Sequence, residues 1–255
     1  DEKLEVLLEL AWVYYESGNW DAATEYNKKA FGLGEKTHNI SARARALIQL
    51  GAILVGQNKW DAAVQLFVQG IKLHTQANDN IGIASGHNHL GNIAYWRGNW
   101  HMARDHFQNA LQNATEVNDL DKIAVISNNL GLVYLAEGKN DIAIRHMSIS
   151  NKSHTENNNF VGLADVDSNL GMVYERLEEW DKAINYHRES VEIIERMGNT
   201  RQLWNAYINT ARVSARTHDL KLAEEIIEKA KNILKGLKNP RGLAEAKRGD
   251  GLIRS

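Results

Sequence analysis

A 40-residue beat decides most of what this chain can fold into. Leu10, Leu50, Leu90, Leu130 and Leu170 fall 40 residues apart, and Thr210 holds the next place. A small residue follows each of them: Ala11, Gly51, Gly91, Gly131, Gly171 and Ala211. Thirteen residues after the leucines stands an unbroken alanine column: Ala23, Ala63, Ala103, Ala143, Ala183 and Ala223. No insertion or deletion disturbs the register. A fixed period of this size is the signature of a solenoid, in which each unit buries its apolar face against its neighbours. The expectation for function moves with it, from catalysis toward binding.

Each unit contains two stretches with helical spacing. In the fourth, Ile123, Ile126, Leu130, Val133 and Tyr134 mark a first helix, and Ile142, Ala143, Met147 and Ile149 a second. A Gly/Asn turn divides them, as at Gly18-Asn19, Asn58-Lys59, Gly98-Asn99 and Gly138-Lys139. Glycine tolerates the left-handed conformation that ends a helix, and Asn19 and Asn99 are of the type that caps the next one. Asn39, Asp79, Asp119, Asn159, Asn199 and Asn239 stand before successive first helices, as N-caps should. The sole proline, Pro240, follows Asn239 at a first helical position and predicts a seventh first helix there. The expected fold is all-α: a right-handed α-solenoid of about six helix hairpins plus a C-terminal helix. Residues 1–255 are read as a single domain and, because Asp1 replaces an initiator Met, as a fragment of a larger protein. Glycine at 51, 91, 131 and 171 is expected to let the two helices of a hairpin approach closely.

Composition narrows the partners. With 30 basic and 32 acidic side chains, the net charge of −2 provides no global field for nucleic acid or an acidic membrane. No apolar run approaches the ~20 residues that span a bilayer, and no basic start leads into an apolar stretch as in a signal peptide. The absence of cysteine excludes disulfides and thiolate chemistry and fits a reducing, cytoplasmic setting.

The pattern resembles the tetratricopeptide repeat (TPR) family. Leu130-Gly131, Tyr134, Ala143, Met147 and Ser150 follow its motif, as do Leu90-Gly91, Ala103, Phe107 and Ala110. The 40-residue unit, without the proline that usually closes a repeat, is similar to kinesin light chains, Pins-type adaptors and the sensor regions of bacterial STAND regulators. The sixth unit departs most, with Thr210-Ala211 and Ser214 in place of Leu-Gly and Tyr. The resemblance implies that first-helix side chains line a concave groove. It also implies that Trp20, Trp60, Trp100 and Trp180, which open second helices, pack over the hairpin turn. Trp12, Trp96 and Trp204 lie on first helices instead, where ligand contact is more plausible for Trp12 and Trp96.

One slot beside the leucine column carries the expected binding site. Asn129, Asn169 and Asn209 occupy it, preceded by His89, Gln49 and Glu9. Asn88, Asn128 and Ser168 sit one position earlier, and Asn92 three after His89. A carboxamide offers one acceptor and two donors, which suits the backbone of an extended peptide. The bland alternative is lateral hydrogen bonding between adjacent repeats. Charge adds a second expectation. Glu5, Glu9 and Glu16 cluster in the first unit and Arg176, Arg212 and Arg216 in the last two, so a groove would run from acidic to basic. Arg45, Asp165 and Glu175 dilute that gradient.

Catalytic and metal motifs are absent from the sequence. His87 and His89 point to different faces of a helix, and His101 and His106 are badly spaced for a metal. There is no P-loop, dinucleotide fingerprint or nucleophile elbow. Arg248-Gly249-Asp250 resembles an adhesion tripeptide but sits at a helical terminus. No cofactor, metal, nucleic acid or membrane partner is expected. The reading is a non-enzymatic sensor or scaffold module of a larger signalling or transcriptional regulator, binding a peptide or protein segment. Two alternatives remain beside it: a small-molecule sensor, with Trp96, Tyr95, His89 and Asn92 as a stacking pocket, and a structural spacer or self-assembly array.

Overall fold

The computed structural model describes residues 2–217 and 219–237, together with 242, 246 and 247; the side chains at 200 and 201 are excepted. The described residues form twelve α-helices and no strand. In chain order these are α1 (Glu2–Glu16), α2 (Trp20–Lys36), α3 (Ile40–Gly56), α4 (Trp60–Gln76), α5 (Asn80–Trp96) and α6 (Trp100–Glu116), then α7 (Leu120–Ala136), α8 (Asn140–Glu156), α9 (Phe160–Arg176), α10 (Trp180–Met197), α11 (Thr200–Arg216) and α12 (Leu220–Gly236). Odd-numbered helices are the first helices of the hairpins. The expected helix at Pro240 and the tripeptide at Arg248 lie outside the described residues.

The turns form as their residues dictate. Gly18, Gly98 and Gly138 adopt φ of 77°, 73° and 79°, the left-handed region that glycine enters without penalty. Asn58, Asn78, Asn118 and Asn158 take the same conformation at φ of 53–60°, as asparagine tolerates better than most residues. Asn19, Asn39, Asp79, Asn99, Asp119 and Asn159 each accept a hydrogen bond from a backbone N–H in the first turn of the following helix. Asn199 departs from this pattern: its amide donates to Gln202 Oε1 at 2.8 Å instead of capping α11.

The chain divides into two compact units, Asp1–Val133 and Tyr134–Ser255, with the boundary inside α7. In the first unit α1–α2, α3–α4 and α5–α6 pair as hairpins. Helix α2 also packs on α3 and α4 on α5, and α1, α3 and α5 lie side by side. In the second unit α9–α10 and α11–α12 pair in the same way, and α9 lies beside α11. All six residues of the alanine column are fully buried.

The glycines of the period have a more specific task than close helix approach. A Cβ on Gly51 would stand 2.5 Å from Phe67 Cε1, and one on Gly91 2.6 Å from Phe107 Cε1. At Gly171 the obstacle is His187 Cε1, at 2.5 Å. Each glycine makes room for a ring from its partner helix rather than for that helix's backbone.

Trp100 packs over its own hairpin turn against Tyr95, as expected, whereas Trp20 and Trp60 also reach one hairpin onward. The Trp20 indole lies against Gly56, 3.2 Å from where a Cβ would stand, and Trp60 meets Trp96 with ring centroids 5.9 Å apart. Both contacts span 36 residues in sequence, from the start of a second helix to the end of the next first helix.

Candidate functional site

First-helix side chains in the asparagine slot are neither buried nor free. Asn88, Asn92, Asn128 and Asn129 in the first unit are half-buried, as are Asn169 and Asn209 in the second. Asn129 Nδ2 donates to Asn88 Oδ1 at 3.0 Å and approaches Asn92 Oδ1 at 3.4 Å. Lateral bonding between repeats therefore holds here, and it joins three of the expected site residues into one polar cluster. Gln49, in the same slot one repeat before His89, donates to the Leu8 carbonyl oxygen at 3.4 Å.

Beside this cluster, between α5 and α7, opens a cleft of about 220 Å³. Ala84, Val125 and Ile126 supply its apolar wall, and Ser85, Asn88, Asp121 and Lys122 its polar rim. His89 completes the lining. Its ring stacks on Phe67, with centroids 4.8 Å apart and planes 3° from parallel. Burial, with a smaller push from Lys122, lowers its pKa from 6.5 to about 4. The imidazole is neutral at physiological pH, offering one donor and one acceptor rather than a charge.

Nothing in the sequence marks Ser85 and Val125, because neither residue type recurs in its column from unit to unit. That column, four residues before the asparagine slot, reads Glu5, Arg45, Ser85, Val125, Asp165 and Asn205. It changes character at every step.

Several expected site residues are placed elsewhere. Trp96 is 53% exposed and pairs with Trp60, and Tyr95 tilts against Trp100 at 5.4 Å. Neither lines the cleft, so the stacking pocket of Trp96, Tyr95, His89 and Asn92 does not form as a unit. Trp12 is also exposed and lies against Tyr15.

Local pairing takes up part of the charge on which the expected acidic-to-basic gradient rests. Arg45 binds Glu5 at 2.6 Å. Arg212 makes a two-pronged contact with Glu175, Nη2 to Oε1 at 2.9 Å and Nε to Oε2 at 3.1 Å. His187 meets the same Oε1 at 2.8 Å. Burial would raise the Glu175 pKa, but hydrogen bonds from His187 and Arg212 outweigh it and hold the carboxyl below its ordinary value. Arg176 Nη1 donates to the Leu135 carbonyl oxygen at 2.6 Å, near the C-terminal end of α7, where a cation is favoured. Arg216 remains exposed. These pairs recur at separations of 37, 40 or 41 residues, so complementary residues at those spacings were the available signal.

Among the described residues no group of three His, Cys, Asp or Glu side chains is placed to hold a metal. Nor is any helix long and apolar enough to cross a membrane.

Comparison with known proteins agrees with this architecture. No curated protein matches the sequence. Among solved structures, BtubC (BKLC) from P. vanneervenii is 18% identical with a TM-score of 0.75, over 92% of each chain. A STAND protein with a tetratricopeptide repeat sensor from Pyrococcus horikoshii is 16% identical with a TM-score of 0.81; the match covers 97% of this chain and 37% of that one. A Rap protein complexed with Competence and Sporulation Factor is 14% identical with a TM-score of 0.66, over 99% of this chain and 75% of that one. At these identities the likeness concerns the fold. The family profile described as tetratricopeptide repeat matches residues 2–76, 82–148 and 162–236. With most of its length matched in three stretches, the chain belongs to the tetratricopeptide repeat family.

Proposed function

We propose that the chain is the non-enzymatic sensor or scaffold domain of a larger regulator, and that it binds an extended peptide along its first helices. The carrying observation is the cluster of Asn88, Asn92 and Asn129 at the edge of the α5–α7 cleft. Each carboxamide engaged in a lateral bond keeps further donor or acceptor capacity for a peptide backbone. The cleft beside them is large enough for an apolar side chain of that peptide. Two structural relatives support the reading by their own descriptions, one as a STAND sensor and one as a complex with Competence and Sporulation Factor.

The test begins with a phage-displayed library of unstructured peptides selected on the protein. Affinity of a selected peptide is then measured by fluorescence anisotropy. Asn88→Ala and Asn169→Ala are each expected to weaken binding about ten-fold, the scale of one lost hydrogen bond with a desolvated partner, while helicity is kept and the melting midpoint falls by no more than about 5 °C. Undiminished affinity in both variants would sink the groove reading.

The cleft favours a second reading, a small polar ligand. Its volume lies below the ~300–1,000 Å³ of most ligand pockets, so a compact metabolite is the appropriate class. A thermal-shift screen of metabolites against selected peptides separates the two.

A further inference from the structure

One place in the tryptophan column holds no indole. Second helices open on Trp20, Trp60, Trp100 and Trp180, and on Leu220 in the last unit, but α8 opens on Asn140. A cleft of about 350 Å³ lies there, lined by Gly138, Lys139, Asn140, Asp141, Ile142 and Leu177. All of these belong to the second unit, in the α7–α8 turn, the first turn of α8 and the residue after α9. The cleft therefore sits between consecutive elements of the chain, not on a terminal face.

The repeat shows what such a place accommodates. Trp20 and Trp60 reach from it to the end of the next first helix, against Gly56 and Trp96. Beyond Asn140 the residue at the same distance along the chain is Arg176, followed by Leu177. A carboxamide is too small to fill the space of an indole, and the cleft is what remains.

Its walls suit a ring. Leu177 and Ile142 are apolar and half-buried. In the column of Leu177 the other units carry Ser17, Gln57, Arg97, Glu137 and Thr217, so the one leucine stands opposite the one asparagine. Trp60 shows how a cation joins such a ring, with the Arg97 guanidinium 5.9 Å from its centroid. Arg176 brings a guanidinium to the Asn140 cleft. Its Nη2 lies 3.7 Å from where a Cβ on Gly138 would stand, and its Nη1 is held by the Leu135 carbonyl oxygen. Asn140 Oδ1 has no hydrogen-bond partner among the described residues. A turn of that carboxamide sets an acceptor against an indole Nε1–H, which can only donate.

We propose that the Asn140 cleft docks a tryptophan side chain of a partner protein. The ring lies over Ile142 and Leu177 beside the Arg176 guanidinium, in the place that the chain's own indoles take in other units. Gly138, Lys139 and Asp141 are exposed, so the cleft is open at the edge of the hairpin and a residue carried on a passing chain can enter it.

The probe is a short Gly/Ser peptide with a central fluorotryptophan, followed by fluorine NMR, which is blind to the tryptophans of the protein itself. Its resonance should broaden and shift as wild-type protein is added, and that of a fluorophenylalanine peptide should do so less. Asn140→Trp, which supplies the indole from the chain itself, should abolish the shift without lowering the melting midpoint. Leu177→Gln, which places in the column the residue type it already holds at Gln57, should weaken binding about ten-fold by removing apolar surface from the floor. Asn88→Ala and Asn169→Ala should leave it unchanged, which keeps this cleft distinct from the groove. No shift with wild-type protein, a shift undiminished in either Asn140→Trp or Leu177→Gln, or equal shifts from the two peptides would each overturn the proposal. Free fluorotryptophan bound more tightly than the peptide would overturn it as well, by assigning the cleft to a metabolite.

Discussion

The Phe67 ring fills the space that a side chain on Gly51 would need, its Cε1 2.5 Å from the position of that Cβ. Phe67 is fully buried and belongs to a core cluster with Ile48, Ala63, Leu90 and Ile93. Where the partner helix supplies Asn27 or Ile227 instead of a ring, the column carries Ala11 or Ala211. Glycine and ring go together at 51, 91 and 171, whereas Met147 holds the ring's place in the unit of Gly131.

Gly51→Ala should therefore overpack the second hairpin and destabilise the protein by ~1–3 kcal/mol. Adding Phe67→Leu should recover part of that loss, because leucine removes the ring atoms the new methyl would strike. Urea denaturation of the wild type, the two single variants and the double variant measures the coupling. Simple additivity would show that the ring is not the obstacle.

Gly32→Ala should act in the opposite direction. With open space around the added methyl, only helix propensity changes, and stability should rise by ~0.5–1 kcal/mol. Thermal melting of this single variant checks it. A fall in the midpoint would mean that Gly32 carries an internal constraint.

These two glycines show what the sequence discloses and what it conceals. The beat of Leu10 through Thr210 and the alanine column revealed the hairpins, because packing against identical neighbours forces the same residue type at each step. Turn chemistry was equally legible at Asn39 or Gly98, where the cap and the left-handed φ are local requirements. The fate of Arg212 and Arg176 was not. Whether an arginine faces a ligand or a neighbouring helix depends on partners 37 or 41 residues away, and composition at one position does not report that. The asparagine slot fell between these cases. Its regularity was visible, but the bond from Asn129 to Asn88 depends on rotamers.

That bond makes a third prediction. Asn88→Ala and Asn129→Ala in a double-mutant cycle should show a coupling of ~0.5–1.5 kcal/mol in stability, the net worth of a part-buried hydrogen bond. Chemical denaturation of the two single variants and the double variant supplies it. A coupling near zero would mean that water replaces the bond without loss.

The Glu175 carboxylate serves partners of unequal burial, and the consequences of removing them should differ. Arg212 has a side chain 43% exposed, whereas His187 is 1% exposed. Arg212→Ala should cost no more than ~1 kcal/mol, as for other exposed ion pairs. Glu175→Ala should cost ~1–3 kcal/mol, because it leaves a buried imidazole nitrogen without its acceptor. Equal losses in the two variants would contradict this ranking.

Asp167 should make the stability of the second unit depend on pH in an unusual direction. Its carboxyl is 2% exposed and accepts a hydrogen bond from Asn151 Nδ2 at 2.7 Å. Burial, reinforced by the Glu189 charge, raises its pKa from 3.8 to about 7 despite that bond. Between about pH 4 and 7 the folded chain then holds a proton that the unfolded chain releases, so Asp167 lowers stability as pH rises through this window. The slope approaches about 1.4 kcal/mol per pH unit where the two states differ by a whole proton. His87 works in the opposite sense. Burial, with a smaller contribution from His106, lowers its pKa from 6.5 to about 4, so stability in the first unit is lost as pH falls through that range. Asp167→Asn keeps an acceptor for Asn151 and removes the ionisation. Urea denaturation from pH 4 to 8 should show the variant pulling ahead of the wild type as pH rises, with the gap ceasing to widen above about pH 7. Parallel curves across the whole range would show that the Asp167 carboxyl ionises in the folded chain as readily as in the unfolded one.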